Sequence, residues 1–159
     1  MGIEEKIGRL EAVEAIKQLM CQYALVCDSG YDVDQMMNLL SPDFVMDFGE
    51  AVGYFEGEEV RRFWESAPSI NLKPMHYMIS PVISLAPDGL SATGQISLWE
   101  ATTQLDDEKH EIPVWGAGVY RNEFKKVGNS WKISRIYLPF EVLCDADKGW
   151  LEEKVRIVM

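Results

Sequence analysis

Apolar residues recur at helical spacing from the first turn of the chain. Ile3, Ile7, Leu10, Val13, Ile16, Met20, Tyr23 and Cys27 fall on one side, and Glu4, Glu5, Lys6, Arg9, Glu11, Glu14 and Lys17 fill the other. The spacing predicts a long amphipathic helix within residues 1–30, ended by Asp28-Ser29-Gly30 with the glycine as its C-terminal cap. Asp32 then stands as the cap of a second helix, Val33 to Ser41, with Gln35 where a capping box places it. Ser41-Pro42-Asp43 stops that helix. Phe44 to Gly49 alternates as a short strand, and Ala51 to Gly57 is placed to pair back on it. Glu58 to Ala67 predicts a third helix with Val60, Phe63 and Trp64 on one face.

After Pro68 the period changes to two. Residues 74–86, 90–105, 111–127 and 131–143 read as four long strands, joined by the tight polar turns "PDG", "DDEK" and "GNS". Helices gathered at one end and an antiparallel meander at the other indicate an α+β fold. A long sheet twists and curls, and the three helices are available to cover its concave face. The expected shape is a cone, a strongly curved antiparallel sheet roofed by three N-terminal helices around an apolar pocket. Met46, Phe48, Tyr54, Trp64, Tyr77, Trp99, Trp115 and Phe140 are candidates to line that pocket, and Trp131 to pack under the sheet. The tail, residues 145–159, fits a short helix that closes the cone or docks on a neighbouring subunit. No internal repeat or linker divides residues 1–159, so the chain reads as one domain.

Composition narrows the partners. A length of 159 residues is enough to bury roughly 70% of the unfolded surface. A formal charge of −11 argues against nucleic acid, which requires clustered Lys and Arg, and against anionic membrane surfaces. No apolar run approaches the roughly 18 residues that span a bilayer, and the charged start lacks the apolar stretch of a signal peptide. Three cysteines without a CxxC spacing point to neither a disulfide framework nor a zinc site. A cytoplasmic protein acting on a small, mostly apolar molecule is the expectation.

The residues suited to chemistry are few. The chain has two histidines. His110 lies in the charged stretch "DDEKHE", whereas His76 lies within the strand "NLKPMHYMIS", whose two faces are both partly apolar, so alternation leaves its side undecided. Tyr23 is on the apolar side of the first helix, Asp28 at its end, and Glu100 follows Trp99 in the second long strand. Tyr23, Asp28 and His76 form a chemically sensible set. A carboxylate fixes an imidazole's tautomer and makes it a general base near neutral pH. A tyrosine hydroxyl stabilises an enolate formed beside a carbonyl. No serine or cysteine occupies a GxSxG elbow. Two histidines without HExxH or a calcium loop give no metal site, and no phosphate or dinucleotide loop is present, so no cofactor is expected.

The segments "AVEAIKQLMCQYALVCDSG", "LLSPDFVMDF", "MHYMIS", "ATGQISLWE" and "GVYRNEFKKVGNSWKIS" together resemble the SnoaL-like branch of the NTF2-like superfamily, over about Leu10 to Val142. Within it the chain is similar to the cofactor-free lyases: bile-acid dehydratase, scytalone dehydratase and hexachlorocyclohexane dehydrochlorinase. The resemblance implies the cone fold, a pocket running into it, and assembly as a homotrimer or homodimer. It implies that His76 serves as base or acid, that Asp28 pairs with it, that Tyr23 contacts substrate, and that Glu100 takes the place of a pocket aspartate. Two positions depart from the pattern. Phe48 stands where scytalone dehydratase carries a water-holding tyrosine, and Lys125 or Lys126 falls near the dehydrochlorinase's arginine. The implied function is a dehydratase-like lyase. An isomerase or cyclase using the same base, and a non-catalytic binder, are the alternatives. The binder predicts His76 and Asp28 beyond the roughly 3.5 Å reach of a hydrogen bond.

Overall fold

In a computed structural model that describes residues 2–155, the N-terminal periodicity forms one continuous helix, α1 (Ile3–Asp28). Only its second half is buried, through Ile16, Leu19, Met20, Tyr23, Ala24, Val26 and Cys27. Ile3, Ile7 and Leu10, read as part of one buried face, are exposed. The helix outruns the sheet: the Arg9 guanidinium already donates to the carbonyls of Leu85 (3.1 Å) and Ala86 (3.3 Å), where a strand ends beneath it. Gly30, at φ +100°, turns the chain out of α1, and the amide of Tyr31 closes onto the Val26 carbonyl at 2.9 Å. Asp32 accepts from the Gln35 amide at 2.9 Å and starts α2 (Val33–Leu39).

Helix α2 ends two residues before the predicted stop. Leu40, Ser41 and Pro42 already belong to β1 (Leu40–Asp47). Proline cannot donate to a ladder, and Pro42 sits where the β1 register is irregular. The hairpin partner β2 (Tyr54–Glu56) pairs back antiparallel as expected. The third helix, α3 (Glu58–Ile70), runs through Pro68 instead of ending before it.

The long strands are β3 (Met75–Leu85), β4 (Ser91–Leu105) and β5 (Glu111–Val127). The fourth expected strand divides into β6 (Ser130–Tyr137) and β7 (Phe140–Asp145). The break falls at Leu138-Pro139, and the chain turns a corner there. β6 pairs with Glu123–Val127 of β5, and β7 with Val114–Gly118 of the same strand. The spatial order is β2-β1-β6-β5-β4-β3, with β7 added on β5. Because β1 and β6 run parallel, the sheet is mixed where an antiparallel one was expected. The cause lies outside any local pattern: β1 enters from the helical end and β6 from the meander.

Inward positions follow parity. On β4 they are the even residues, Ala92, Ile96, Leu98, Glu100, Thr102 and Gln104, all buried. On β3 a register shift between Ile79 and Val82, with Ser80 at φ +52°, changes the parity midway. His76 and Met78 turn inward before it, and Ile83 and Leu85 after it. This bulge answers which face His76 uses. The core formed between α1, α3 and this concave face includes Ile16, Met20, Trp64, Ile96, Tyr120, Phe124, Ile133 and Ile136.

The tail makes turns over residues 146–154 in place of the expected helix, and Val155 bridges Leu143; residues 156–159 lie outside the described ones. The tail covers its own sheet, with Trp150 against Trp115 at a centroid distance of 5.7 Å. Among the described residues no helix is long and apolar enough to cross a membrane.

Two glycines test this architecture. A methyl group at Gly118 would lie 2.9 Å from the Pro139 carbonyl at the sheet corner. Gly118→Ala therefore lowers stability by about 1–3 kcal/mol. Gly8 is in the exposed half of α1 with nothing within 4 Å, so Gly8→Ala raises stability by about 0.5–1 kcal/mol. Urea unfolding of both variants measures the two signs.

Candidate active site

The last residue of α1 and the second residue of β3 meet at the mouth of the cone. Asp28 accepts from the His76 backbone amide through both carboxylate oxygens, at 3.0 and 3.1 Å. The same carboxylate lies 2.7 Å from Nδ1 of the His76 ring. A carboxylate only accepts, so Nδ1 carries the proton and donates it, which leaves the lone pair on Nε2. An acidic residue at a helix C-terminus faces the negative end of the helix dipole. The three hydrogen bonds from His76 offset that placement and clamp an edge strand to the helix end.

Nε2 faces the second carboxylate, Glu100, at 3.7 Å from Oε1. The two residues are register partners across β3 and β4, and both point inward. The His76 side chain is 7% exposed and that of Glu100 is 6% exposed, so their charges interact with little water between them. Burial opposes protonation of His76, but the hydrogen bond to Asp28 and the negative charges of Glu100 and Asp28 outweigh it, and its pKa rises above 6.5. Burial pushes the Glu100 carboxyl above its ordinary 4.5; the His76 charge pulls it down and the Asp28 charge adds to the rise. Opposite Glu100, Gly116 leaves the room it occupies. A methyl group there would meet Oε2 at 3.1 Å and the Phe140 ring at 3.2 Å.

Beyond this pair a cavity of about 70 Å³ runs between sheet and helices. Tyr23 and Tyr120 line it, edge to face at a centroid distance of 6.2 Å. Burial pushes both phenols well above their ordinary range, so both remain hydroxyl donors. Cys27 also lines it, and burial pushes its thiol up and keeps it neutral. Among the described residues no Lys or Arg lines the cavity. Among the described residues no group of three or more His, Cys, Asp and Glu is arranged to hold a metal ion.

Of the residues singled out in the sequence, His76, Asp28, Tyr23 and Glu100 come together. Phe48, Trp64 and Phe140 line the cavity. Five pocket candidates do not. Met46 is fully buried in the core, one layer behind the wall. Tyr54 is exposed, its hydroxyl on Glu56 at 2.9 Å. Tyr77 and Trp99 follow and precede inward residues, so alternation turns them out onto a shallow outer groove with Cys21, Leu25 and Ile79. Trp115 pairs with Ala101 and stacks on Trp99 at 5.7 Å on the same outer face. The sequence reading missed Tyr31, Asn71, Gln104 and Tyr120 as lining residues. For Gln104 the signal was present, since it shares the face of Glu100 four residues away. Tyr31 had none, because its ring depends on a left-handed backbone, φ +59°, after Gly30.

Comparison with known proteins agrees with this architecture. The profile of the SnoaL-like domain matches residues 8–137. A hexachlorocyclohexane dehydrochlorinase of type 3 from Novosphingobium barchaimii superposes with a TM-score of 0.75 at 14% identity, covering 97% of this chain and 99% of that one. A type 2 hexachlorocyclohexane dehydrochlorinase superposes at 0.77 and 15% identity, covering 88% and 92%. A scytalone dehydratase-like protein from Novosphingobium aromaticivorans superposes at 0.75 and 15% identity, covering 96% and 97%. The fold is the NTF2-like α+β cone. No curated protein matches the chain in sequence.

The raised His76 pKa has a measurable sign. The folded protein binds this proton more tightly than the unfolded chain, so the stability it contributes is complete below about pH 6.5 and is lost as pH rises through the folded value. Glu100 acts in the same direction, its contribution complete below about pH 4.5 and lost as pH rises through its own folded value. Urea unfolding across neutral pH shows stability falling with pH, and His76→Gln flattens that slope. By NMR, His76 titrates above 6.5, and Asp28→Asn lowers the value.

Proposed function

This chain belongs to the SnoaL-like domain family, and we propose that it is a cofactor-independent lyase of the dehydratase type. Its substrate is a small, mostly apolar cyclic or polyketide-like molecule with a hydroxyl group β to a carbonyl. One observation carries the reading: His76 has Nδ1 held by Asp28 at 2.7 Å while Nε2 is presented beside Glu100 at the cavity. A binder has no use for an oriented, buried imidazole between two carboxylates.

Nε2 removes the proton next to the substrate carbonyl. The C–H electron pair moves into an enolate, and the imidazolium that forms is stabilised by Asp28. Tyr23, kept protonated by burial and packed edge to face with Tyr120, donates to the enolate oxygen. As the enolate collapses to the conjugated alkene, the C–O bond breaks and the proton on Nε2 passes to the departing hydroxyl, which leaves as water. The His76 pKa, raised from 6.5, keeps base and acid forms both accessible near neutrality. The superposed dehydratase-like and dehydrochlorinase structures support elimination as the reaction class. Dehydration is favoured over chloride loss because among the described residues no Lys or Arg lines the cavity to receive a halide; Lys125, near the arginine of the dehydrochlorinase pattern, lies on the outside against Asp43. Isomerisation or cyclisation by the same base is the second reading, supported by Glu100 as a further proton-carrying group beside Nε2.

The exposed apolar row Met75, Tyr77, Ile79, Val82 and Trp99 on the outer face supports the expected homo-oligomer. In sedimentation velocity the protein runs larger than a monomer, and Tyr77→Glu with Ile79→Glu shifts it to one; a monomeric wild type contradicts this.

Turnover decides the main reading. On a panel of cyclic β-hydroxy ketones followed by mass spectrometry, product appears with the mass of one water lost. His76→Ala lowers kcat at least about 100-fold with unchanged circular dichroism. Undiminished activity of that variant contradicts the mechanism, and conserved mass selects isomerisation.

A further inference from the structure

The cavity has a second polar end that the elimination does not use. Gln104 is two inward positions beyond Glu100 on β4, about 13 Å along the strand. Its Nε2 donates to Oδ1 of Asn71, the residue that ends α3, at 2.9 Å. Asn71 and Tyr31 share this wall of the cavity. The Tyr31 ring stacks on Trp64 at 6.0 Å and 23°. All four side chains line the cavity that holds His76 and Glu100.

Trp64 bridges the two ends, its ring edge to face with Tyr23 at 5.9 Å as well as stacked on Tyr31. It is 2% exposed, and its indole N–H has no hydrogen-bond partner. A buried indole N–H ordinarily finds an acceptor, because stranding a donor away from water costs free energy. Beside it, two carboxamides and a phenol supply both donors and acceptors without formal charge. Among the described residues the imidazole and acidic side chains of the cavity are His76 and Glu100, with Asp28 behind the imidazole, and no described Lys or Arg lines it to meet an anion.

We propose that Trp64, Asn71, Gln104 and Tyr31 form a neutral recognition subsite, which selects substrates carrying an uncharged oxygen, a hydroxyl or ketone, at the end of the ring system remote from the reacting carbon. This deepens the lyase reading and rests on it only for which end of the ligand reacts. The selected class is a doubly oxygenated cyclic compound that is uncharged within the cavity. A carboxylate or phosphate at the remote end is rejected.

Binding measured by titration calorimetry tests this without turnover. The probes are 1-tetralone, 6-hydroxy-1-tetralone and 1-tetralone-6-carboxylate, at a pH below the phenol's pKa. The hydroxylated ketone binds wild type about fivefold tighter than the parent, the gain expected of a new buried hydrogen bond, and the carboxylate binds more weakly than either. Trp64→Phe keeps the ring and removes the donor; Gln104→Met keeps the length and removes the amide. In either variant the preference falls to within about twofold. Equal affinity for the two ketones, no measurable binding of any probe, tighter binding of the carboxylate, or a preference that survives in both variants overturns the subsite. His76→Gln separates the readings. It retains the hydroxyl preference while losing turnover; turnover retained in that variant counts against the lyase reading and leaves the affinity ratio to decide the subsite.

Discussion

The Asp28 carboxylate accepts three hydrogen bonds from one residue of another element, and the arrangement of the mouth depends on it. Two come from the His76 backbone and fix where the edge strand β3 lies against the end of α1. The third fixes the imidazole tautomer and aims Nε2 at the cavity. The clamp that joins helix to sheet is thus also the orienting bond of the base. Its position looks unfavourable in isolation, a carboxylate at a helix C-terminus, and becomes intelligible only with the partner strand in place.

Around that clamp the sheet supplies the rest. The bulge at Ser80-Pro81 lets β3 turn His76 inward at one end and Ile83 and Leu85 inward at the other. Register then places Glu100 opposite His76, and the missing side chain of Gly116 gives Glu100 its space. The corner at Pro139 brings Phe140 over the same region. A buried imidazole between two carboxylates holds its proton more tightly than a free one, and a buried carboxyl beside it holds its own more tightly as well. The site therefore holds its protons to higher pH than the free groups would, which suits chemistry that removes one proton and returns it to a leaving group.

Much of this was legible in the chain. Helical spacing located α1, the Asp32–Gln35 cap located α2, and polar turns separated the long strands. The chemistry of the residue types singled out His76, Asp28 and Tyr23, the family resemblance added Glu100, and these four side chains do converge. What was not legible depended on long-range pairing. No local pattern reveals that β1 runs parallel to β6, or that the strand after Trp131 changes its pairing at Pro139. Aromatic residues were assigned to the pocket by size, and alternation overruled size: once His76 and Glu100 face in, Tyr77 and Trp99 must face out. The buried amide Gln104 was passed over because a polar residue on a strand reads as surface, and the half-buried Asn71 because it lies just past the end of α3. The exposed start of α1 shows the converse, an apolar stripe that the sheet is too short to cover.

The claim that His76, oriented by Asp28, removes a substrate proton is tested most directly by hydrogen exchange at the carbon it attacks. With a bound cyclic β-hydroxy ketone in deuterium oxide, NMR follows loss of the proton adjacent to the carbonyl. Wild type exchanges that position stereoselectively, His76→Gln abolishes the exchange, and Asp28→Asn slows it while shifting its pH dependence downward, as a weaker base requires. Exchange that proceeds unchanged in His76→Gln contradicts the account.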